Sequence, residues 1–241
     1  MAIVTSRITR VFVETPRNRI VRVELPEGLP AFEAGQYVSL GDHGQPVRKP
    51  YSIASSPAES VRTGNLEFLI QVVDGESPGA HLAALAAGEA IDVEGPAGSF
   101  VLPSGLRPRS AVLIGGGTGI APLRAMLYQL IDDTPAARVA VLQSARTPDE
   151  LCYAAELRSL EAAGRIVLME TVTRDAPASW PGRRGRVDAV ELRELVDGPD
   201  AWCFVCGPDS LVEGVPRLLW QLGVPAEHIR TEQWADTPPQ R

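Results

Sequence analysis

Cysteine, histidine and aromatic side chains are scarce in this 241-residue chain, and no long apolar run occurs. Cys152, Cys203 and Cys206 are too few for a disulfide framework, and they fall short of the four thiolates an iron–sulfur cluster takes. Cys203-Phe204-Val205-Cys206 spells C-x-x-C inside an apolar run, where strand periodicity points the two thiols to opposite faces. A redox dithiol needs its cysteines at a helix start. The three histidines, His43, His81 and His228, stand far apart without a carboxylate cluster, so no metal site is expected. A net charge of −7 excludes a global basic field for nucleic acid. No segment approaches the ~20 apolar residues of a membrane span. The first residues, MAIVTSRITRVFVETP, lack the basic and apolar blocks of a secretory signal. The expectation is a cytoplasmic protein without a membrane span.

What is present falls into two halves with different periods. Up to about residue 100, short stretches alternate apolar and polar residues between Pro and Gly clusters: SRITRVFVET, NRIVRVELPE, GQYVSLG, YSIAS, NLEFLIQVV and AIDVEG. Only GAHLAALAAG reads as helical there. Many short strands joined by turns predict an antiparallel barrel or sandwich. From RPRSAVLIGG onward, apolar strands (AVLI, RVAVLQS, RIVLMETV, AWCFVCG) alternate with longer amphipathic segments (APLRAMLYQLIDD, PDELCYAAELRSLEAAG, VDAVELRELV, DSLVEGVPRLLWQLG). That alternation predicts a parallel sheet covered on both faces. The change of pattern predicts a β barrel over residues 1–104 and an α/β domain over 105–241, joined through the Pro/Gly/Arg stretch at 102–110.

The densest motif is AVLIGGGTGIAPLRAMLYQL, with glycines at 115, 116, 117 and 119. Strand, glycine turn and helix in that order present backbone N–H groups and a helix N-terminus to phosphate. The spacing breaks the G-x-G-x-x-G fingerprint, since counting from Gly115 or Gly117 ends on Ile120 or Pro122, and no Lys-Ser or Lys-Thr follows for a Walker loop. In a parallel sheet the crevice lies at the carboxyl ends of the strands, which puts Gly116, Gly117, Thr118 and Gly119 in a nucleotide site. An NAD fold ends its next strand in a carboxylate that holds the ribose hydroxyls. Here that strand runs into Ser144 and Arg146, and Arg174 ends the strand after it. Arg183, Arg184 and Arg186 follow. Cations there suit a 2′-phosphate, which favours NADPH over NADH.

With these residues on the page, the chain resembles the ferredoxin–NADP reductase family. RKPYSIASSP is similar to its Arg-x-Tyr-Ser flavin motif, GPAGSF to its Gly-Pro-x-Gly-x-Phe segment, IGGGTGIAP to its pyrophosphate loop and CGP to its strand-end cysteine motif. The resemblance implies an N-terminal antiparallel β barrel that holds FAD, followed by a parallel-sheet, Rossmann-like domain that holds NAD(P)H. It implies that Tyr51 packs on the flavin, that Ser52 hydrogen-bonds near its N5, and that Ile53 and Ala54 offer backbone groups. Arg48 or Lys49 would face the FAD pyrophosphate; strict register puts Lys49 two residues before Tyr51, with Arg48 one further back. Ser77, Gly79 and Ala80 are the implied second phosphate contact. Cys206, before Gly207 and Pro208, would lie beside the nicotinamide. Trp234 would stack on the flavin with Glu232 close by, although seven residues follow where plant-type members end. Arg146 and Arg174, then Arg184 or Arg186, would grip the 2′-phosphate; NADH-dependent members share part of this pattern.

The implied activity is hydride transfer from NADPH or NADH to FAD, then electron delivery to a separate chain, ferredoxin or another iron–sulfur protein. Arg17, Arg19 and Arg22 are the candidate docking cations for an acidic partner. The alternatives are a reductase component of an oxygenase, a free reductase of flavins, quinones or ferric complexes, and a nucleotide-binding sensor without turnover. The intact Tyr51-Ser52, glycine loop and Cys206 argue against the sensor.

Overall fold

A computed structural model of the chain describes residues 3–72 and 86–233. Six antiparallel strands form the first sheet: β1 (Ile3–Thr15), β2 (Asn18–Glu24), β3 (Tyr37–Asp42), β4 (Lys49–Ser52), β5 (Asn65–Gln71) and β6 (Ala90–Ala97). Their order is β4-β3-β6-β1-β2-β5, and a bridge between Ile53 and Phe68 ties the two outer strands together. The sheet therefore curls into a barrel. Alternate residues fill it: Val21 and Val23, Val38 and Leu40, Leu66, Phe68 and Ile70, Ile91 and Val93. Leu69, on the other face of β5, packs instead against the second half of the molecule.

A short helix, α1 (Pro57–Thr63), interrupts the barrel and was not expected from periodicity. Its signals are local. The Ser56 hydroxyl accepts the Glu59 N–H at 3.1 Å, Pro57 opens the first turn, and Gly64 closes it at φ 67°. The helical segment expected at 79–88 lies mostly outside the described residues.

The second sheet is parallel throughout: β7 (Ser110–Gly116), β8 (Arg138–Ala145), β9 (Val167–Val172), β10 (Arg183–Arg184), β11 (Trp202–Gly207) and β12 (Ile229–Gln233), in the order β10-β9-β8-β7-β11-β12. The helices are α2 (Ile120–Asp133), α3 (Ala154–Ala162), α4 (Ala189–Leu195) and α5 (Asp209–Gln221). The apolar runs are explained by burial on both faces. Leu113, Val141, Phe204 and Cys206 join α2 and the barrel's Ile20, Leu69 and Phe100 in one core. Val112, Ala140, Leu142, Cys203 and Val205 join α4 and α5 in another. Cys203 and Cys206 thus lie on opposite faces, and the C-x-x-C is a coincidence of strand packing. No described helix is long and apolar enough to cross a membrane.

The long amphipathic segment expected at 148–164 is broken. A single 3-10 turn (Pro148–Glu150) precedes Tyr153, which sits at φ 57°, and α3 starts only at Ala154. Two contacts fix the break: the Gln143 amide donates to the Cys152 carbonyl at 2.7 Å, and the Tyr153 N–H donates to Glu14 on β1 at 2.5 Å. The left-handed conformation, costly for a tyrosine, is imposed by tertiary partners.

Those partners belong to the seam between the halves, which centres on Arg124 of α2. Its guanidinium is buried and fully engaged, with Glu59 at 2.9 and 3.0 Å, Glu156 at 2.7 and 3.1 Å, and the Ala54 carbonyl at 2.9 Å. It also lies 4.7 Å from the Tyr128 ring centroid and 5.1 Å from that of Tyr153. Burial works against the charge, but Glu59, Glu156 and Glu67 outweigh it and hold the guanidinium ionised. Glu67, 4% exposed, is shared with Arg22 on the barrel at 2.7 Å. One buried cation therefore links the helix after the glycine loop to the segment after Tyr51-Ser52.

Candidate active site

β7 ends at Gly116, a 3-10 turn spans Gly117–Gly119, and α2 begins at Ile120 with no acidic residue in its first turn. The free N–H groups of that helix start suit an anion. The glycines have separate reasons. Gly117 needs its left-handed φ of 56° to turn the chain. A Cβ on Gly119 would lie 2.2 Å from the Cys206 carbonyl oxygen, so this glycine lets the loop rest on β11.

Gly116, Gly117 and Thr118 face a cavity of about 590 Å³. Ser144 and Arg146 border it at the end of β8, Thr173 and Arg174 after β9, Arg186 after β10, and Pro208 and Ser210 at the start of α5. The opposite wall is built by the barrel, from Arg17, Asn18 and Gln71. Among the described residues, the guanidinium groups of Arg146, Arg174 and Arg186 make no hydrogen bond or ion pair. Arg184 does not belong to this group. Its Nη1 and Nη2 donate to the Ala176 and Pro177 carbonyls at 3.1 and 2.6 Å, which pins the preceding loop, and Arg183 pairs with Glu194 at 2.7 Å. Arg186 takes the place in the crevice that the sequence offered to either Arg184 or Arg186.

Cys206 lies at the carboxyl end of β11, in register with Gly115 on one side and Glu232 on the other. Burial, with the Glu232 carboxylate nearby, pushes its thiol well above the ordinary range. Cys206 is therefore a neutral, apolar surface rather than a thiolate nucleophile. Desolvation pushes Glu232 up to about 7. Gly207 and Pro208 carry the chain from Cys206 into α5.

On the barrel side, Tyr51 packs its ring against the core from β4, and burial pushes its phenol up. Ser52 closes the strand opposite Tyr37. Ile53 and Ala54 are buried, and their N–H groups donate to the Gln36 carbonyl at 2.9 Å and the Glu67 carbonyl at 2.7 Å. Neither N–H is left for a ligand. The Nε of Arg48 is buried without a hydrogen bond, 3.9 Å from a Glu94 oxygen. Lys49, the only lysine of the chain, shares the face of Tyr51 by strand periodicity. Arg48, with one guanidinium N–H unbonded although it faces Glu94 and Pro46, and a second cation beside an aromatic ring fit the pyrophosphate and ring of a flavin nucleotide. Ser77, Gly79, Ala80 and Trp234 lie outside the described residues.

The expected docking cations do not act together. Arg22 pairs with Glu67, and Arg19 donates to the Thr15 and Asn18 carbonyls at 3.1 and 3.0 Å. Arg17 lines the crevice. Sequence reasoning missed Asn18 and Gln71 as crevice residues and Arg124 as the seam's centre. Arg124 had one legible signal, a charge one turn into an otherwise apolar helix start.

Residues 7–102 match the oxidoreductase FAD-binding domain, and residues 113–217 match the oxidoreductase NAD-binding domain. The chain is 36% identical over 213 residues to ferredoxin–NADP reductase B of Sorangium cellulosum, an alignment covering 84% of this chain and 85% of that protein. It is 30% identical over 242 residues to the propane 2-monooxygenase reductase component of Rhodococcus jostii, covering 94% of this chain but only 62% of that protein. Among solved structures, the Amycolatopsis cytochrome P450 reductase GcoB superposes with a TM-score of 0.83 at 26% identity, over 96% of this chain and 69% of that one.

Proposed function

This chain belongs to the ferredoxin–NADP reductase family of FAD- and NAD-binding oxidoreductases, and from that premise we propose that it draws hydride from NADPH in preference to NADH and passes electrons to a separate iron–sulfur protein. The observation that carries the NADPH reading is the set of unpaired Arg146, Arg174 and Arg186 at three successive strand ends, with Ser144 where a ribose-binding carboxylate would stand. Guanidinium groups bind phosphate through paired, charge-assisted hydrogen bonds, so an unengaged trio is a receptor for the 2′-phosphate.

FAD held on the 1–104 barrel would supply a hydride acceptor for the pyridine nucleotide held on the 105–241 domain and a donor of single electrons. The chain's part is positioning. Tyr51 and Ser52 hold the flavin ring, Lys49 and Arg48 its pyrophosphate, with Ser77, Gly79 and Ala80 as further phosphate contacts. Gly116, Gly117 and Thr118 hold the nicotinamide dinucleotide's pyrophosphate at the start of α2. Cys206 gives the nicotinamide a neutral, dry neighbour, Glu232 beside it keeps a proton up to about pH 7, and Trp234 is the residue the family resemblance would put against the flavin. The protein works in the cytoplasm, where its three buried free thiols stay reduced.

The test is anaerobic titration of the purified yellow protein with each nucleotide. NADPH bleaches the flavin at lower concentration than NADH. A preparation that takes up no FAD would sink the assignment, and bleaching by NADH alone would sink the arginine argument. A second acceptor class, the terminal component of an oxygenase, is favoured by the likeness to the propane monooxygenase reductase component. Reduction rates of ferredoxin-type and oxygenase-type partners in one assay separate the two.

A further inference from the structure

The second wall of the crevice comes from the flavin barrel, and its chemistry is that of a binding surface. We propose that the β1–β2 hairpin forms part of the pyridine-nucleotide site: Arg17 contacts a phosphate of the dinucleotide, and the Asn18 side-chain oxygen accepts a hydrogen bond from one of its hydroxyl or amino groups. The inference rests on the crevice being the NADPH site.

Two independent observations carry it. Asn18 is 6% exposed and lines the cavity, yet its Oδ1 is buried without a partner among the described residues. Buried amide oxygens are almost always hydrogen-bonded, so an orphan oxygen on a residue that lines the cavity is an acceptor a ligand donor can satisfy. Its other amide atom is engaged, Nδ2 donating to Thr15 Oγ1 at 2.9 Å, so the side-chain orientation is fixed by the turn itself. Arg17 is the second. Its guanidinium has no hydrogen bond or ion pair among the described residues, although Arg19 and Arg22 on the same hairpin are both engaged.

The base beneath both side chains is rigid. The Arg17 carbonyl accepts the Val72 N–H at 2.7 Å, the Arg17 N–H donates to Thr15 Oγ1 at 3.3 Å, and Asn18 stands opposite Gln71 in the sheet. Four arginines and one glutamate, Glu150, line the crevice, which leaves three net positive charges. A fourth cation among three raises their mutual repulsion, and a polyanion relieves it. Because Arg17 belongs to the flavin barrel and the other three to the α/β domain, the dinucleotide bridges both halves. Its phosphates then help to register the nicotinamide against the flavin.

The experiment is calorimetric titration of the FAD-loaded protein with NADP⁺ and with NAD⁺, for the parent, Arg17→Ala, Arg17→Lys, Asn18→Ala and Arg146→Ala. Loss of one charge-assisted contact is expected to weaken NADP⁺ about tenfold in Arg17→Ala, with partial recovery in Arg17→Lys. An equal loss for NAD⁺ identifies the pyrophosphate as the contact, and a loss confined to NADP⁺ identifies the 2′-phosphate; either supports the proposal. Unchanged affinity for both nucleotides in Arg17→Ala overturns it. So does release of FAD from the Arg17 variants, which would assign the hairpin to the flavin. Should Asn18→Ala fail to fold, the Arg17 pair decides alone. Arg146→Ala separates the two levels. If it weakens NADP⁺ while Arg17→Ala does not, only the hairpin inference fails; if neither does, the NADPH reading of the crevice fails with it.

Discussion

Arg124 in the seam and the arginines of the crevice are the same side chain used in opposite ways. Arg124 is buried, with its donors taken by Glu59, Glu156 and the Ala54 carbonyl. Arg146, Arg174 and Arg186 stand at strand ends, and among the described residues theirs are free. A saturated guanidinium signals structure, because removing it strands the carboxylates packed around it. An unsaturated one beside a glycine loop signals a ligand, because nothing in the fold needs it there. Residue type alone does not separate the two; the partner inventory does.

The largest effect should come from the seam. Arg124→Ala leaves Glu59 and Glu156 without their cation and Glu67 with Arg22 alone, and breaking a buried pair from one side costs about 3–5 kcal/mol. Denaturant unfolding should show that loss, while Arg146→Ala should change stability by no more than about 0.5 kcal/mol. Equal destabilisation by both would erase the distinction. Next comes Gly119→Ala. Its Cβ would sit 2.2 Å from the Cys206 carbonyl oxygen, so the loop or β11 must move. Displacement of a binding loop by ~1 Å can cost about a hundredfold in rate. kcat/KM should fall for NADPH and NADH alike, since the loop serves what the two share.

The fold was legible where periodicity carries it. Alternation in the first half and apolar runs between amphipathic segments in the second led to the two sheets with their correct hands of pairing. Gly116, Gly117, Thr118, Arg146 and Arg174 could be placed on one wall because a parallel sheet gathers its strand ends. What sequence could not show depends on distant partners. The break at Tyr153 is held by Glu14, well over a hundred residues away, so no local signal announces it. Arg184 and Arg186 look equivalent until Arg184 is seen turned back onto the Ala176 and Pro177 carbonyls. Arg17 reads as an exposed strand cation because its position depends on how the barrel meets the second sheet. The helix at Pro57–Thr63 is different: its Ser-Pro start and Gly64 stop were there to be read.

A smaller effect should distinguish the strand-end carboxyl from the arginines. Glu232 is raised by desolvation from 4.5 to about 7, so the folded state holds that proton more tightly than the unfolded chain. Stability from this group is fully present below about pH 4.5 and declines as pH rises toward about 7. Glu232→Gln should flatten that part of the stability profile, measured by unfolding midpoints across the window. A profile unchanged by the substitution would place Glu232 in water.

The most direct test of the central claim is the ratio of kcat/KM for NADPH to that for NADH, measured in the parent and in Arg146→Ala with a common acceptor. The parent should favour NADPH, and the substitution should reduce the ratio by about tenfold or more through loss of one charge-assisted phosphate contact, with the NADH value nearly unchanged. A parent that favours NADH, or a variant in which both values fall together, would contradict the assignment of the unpaired arginines to the 2′-phosphate.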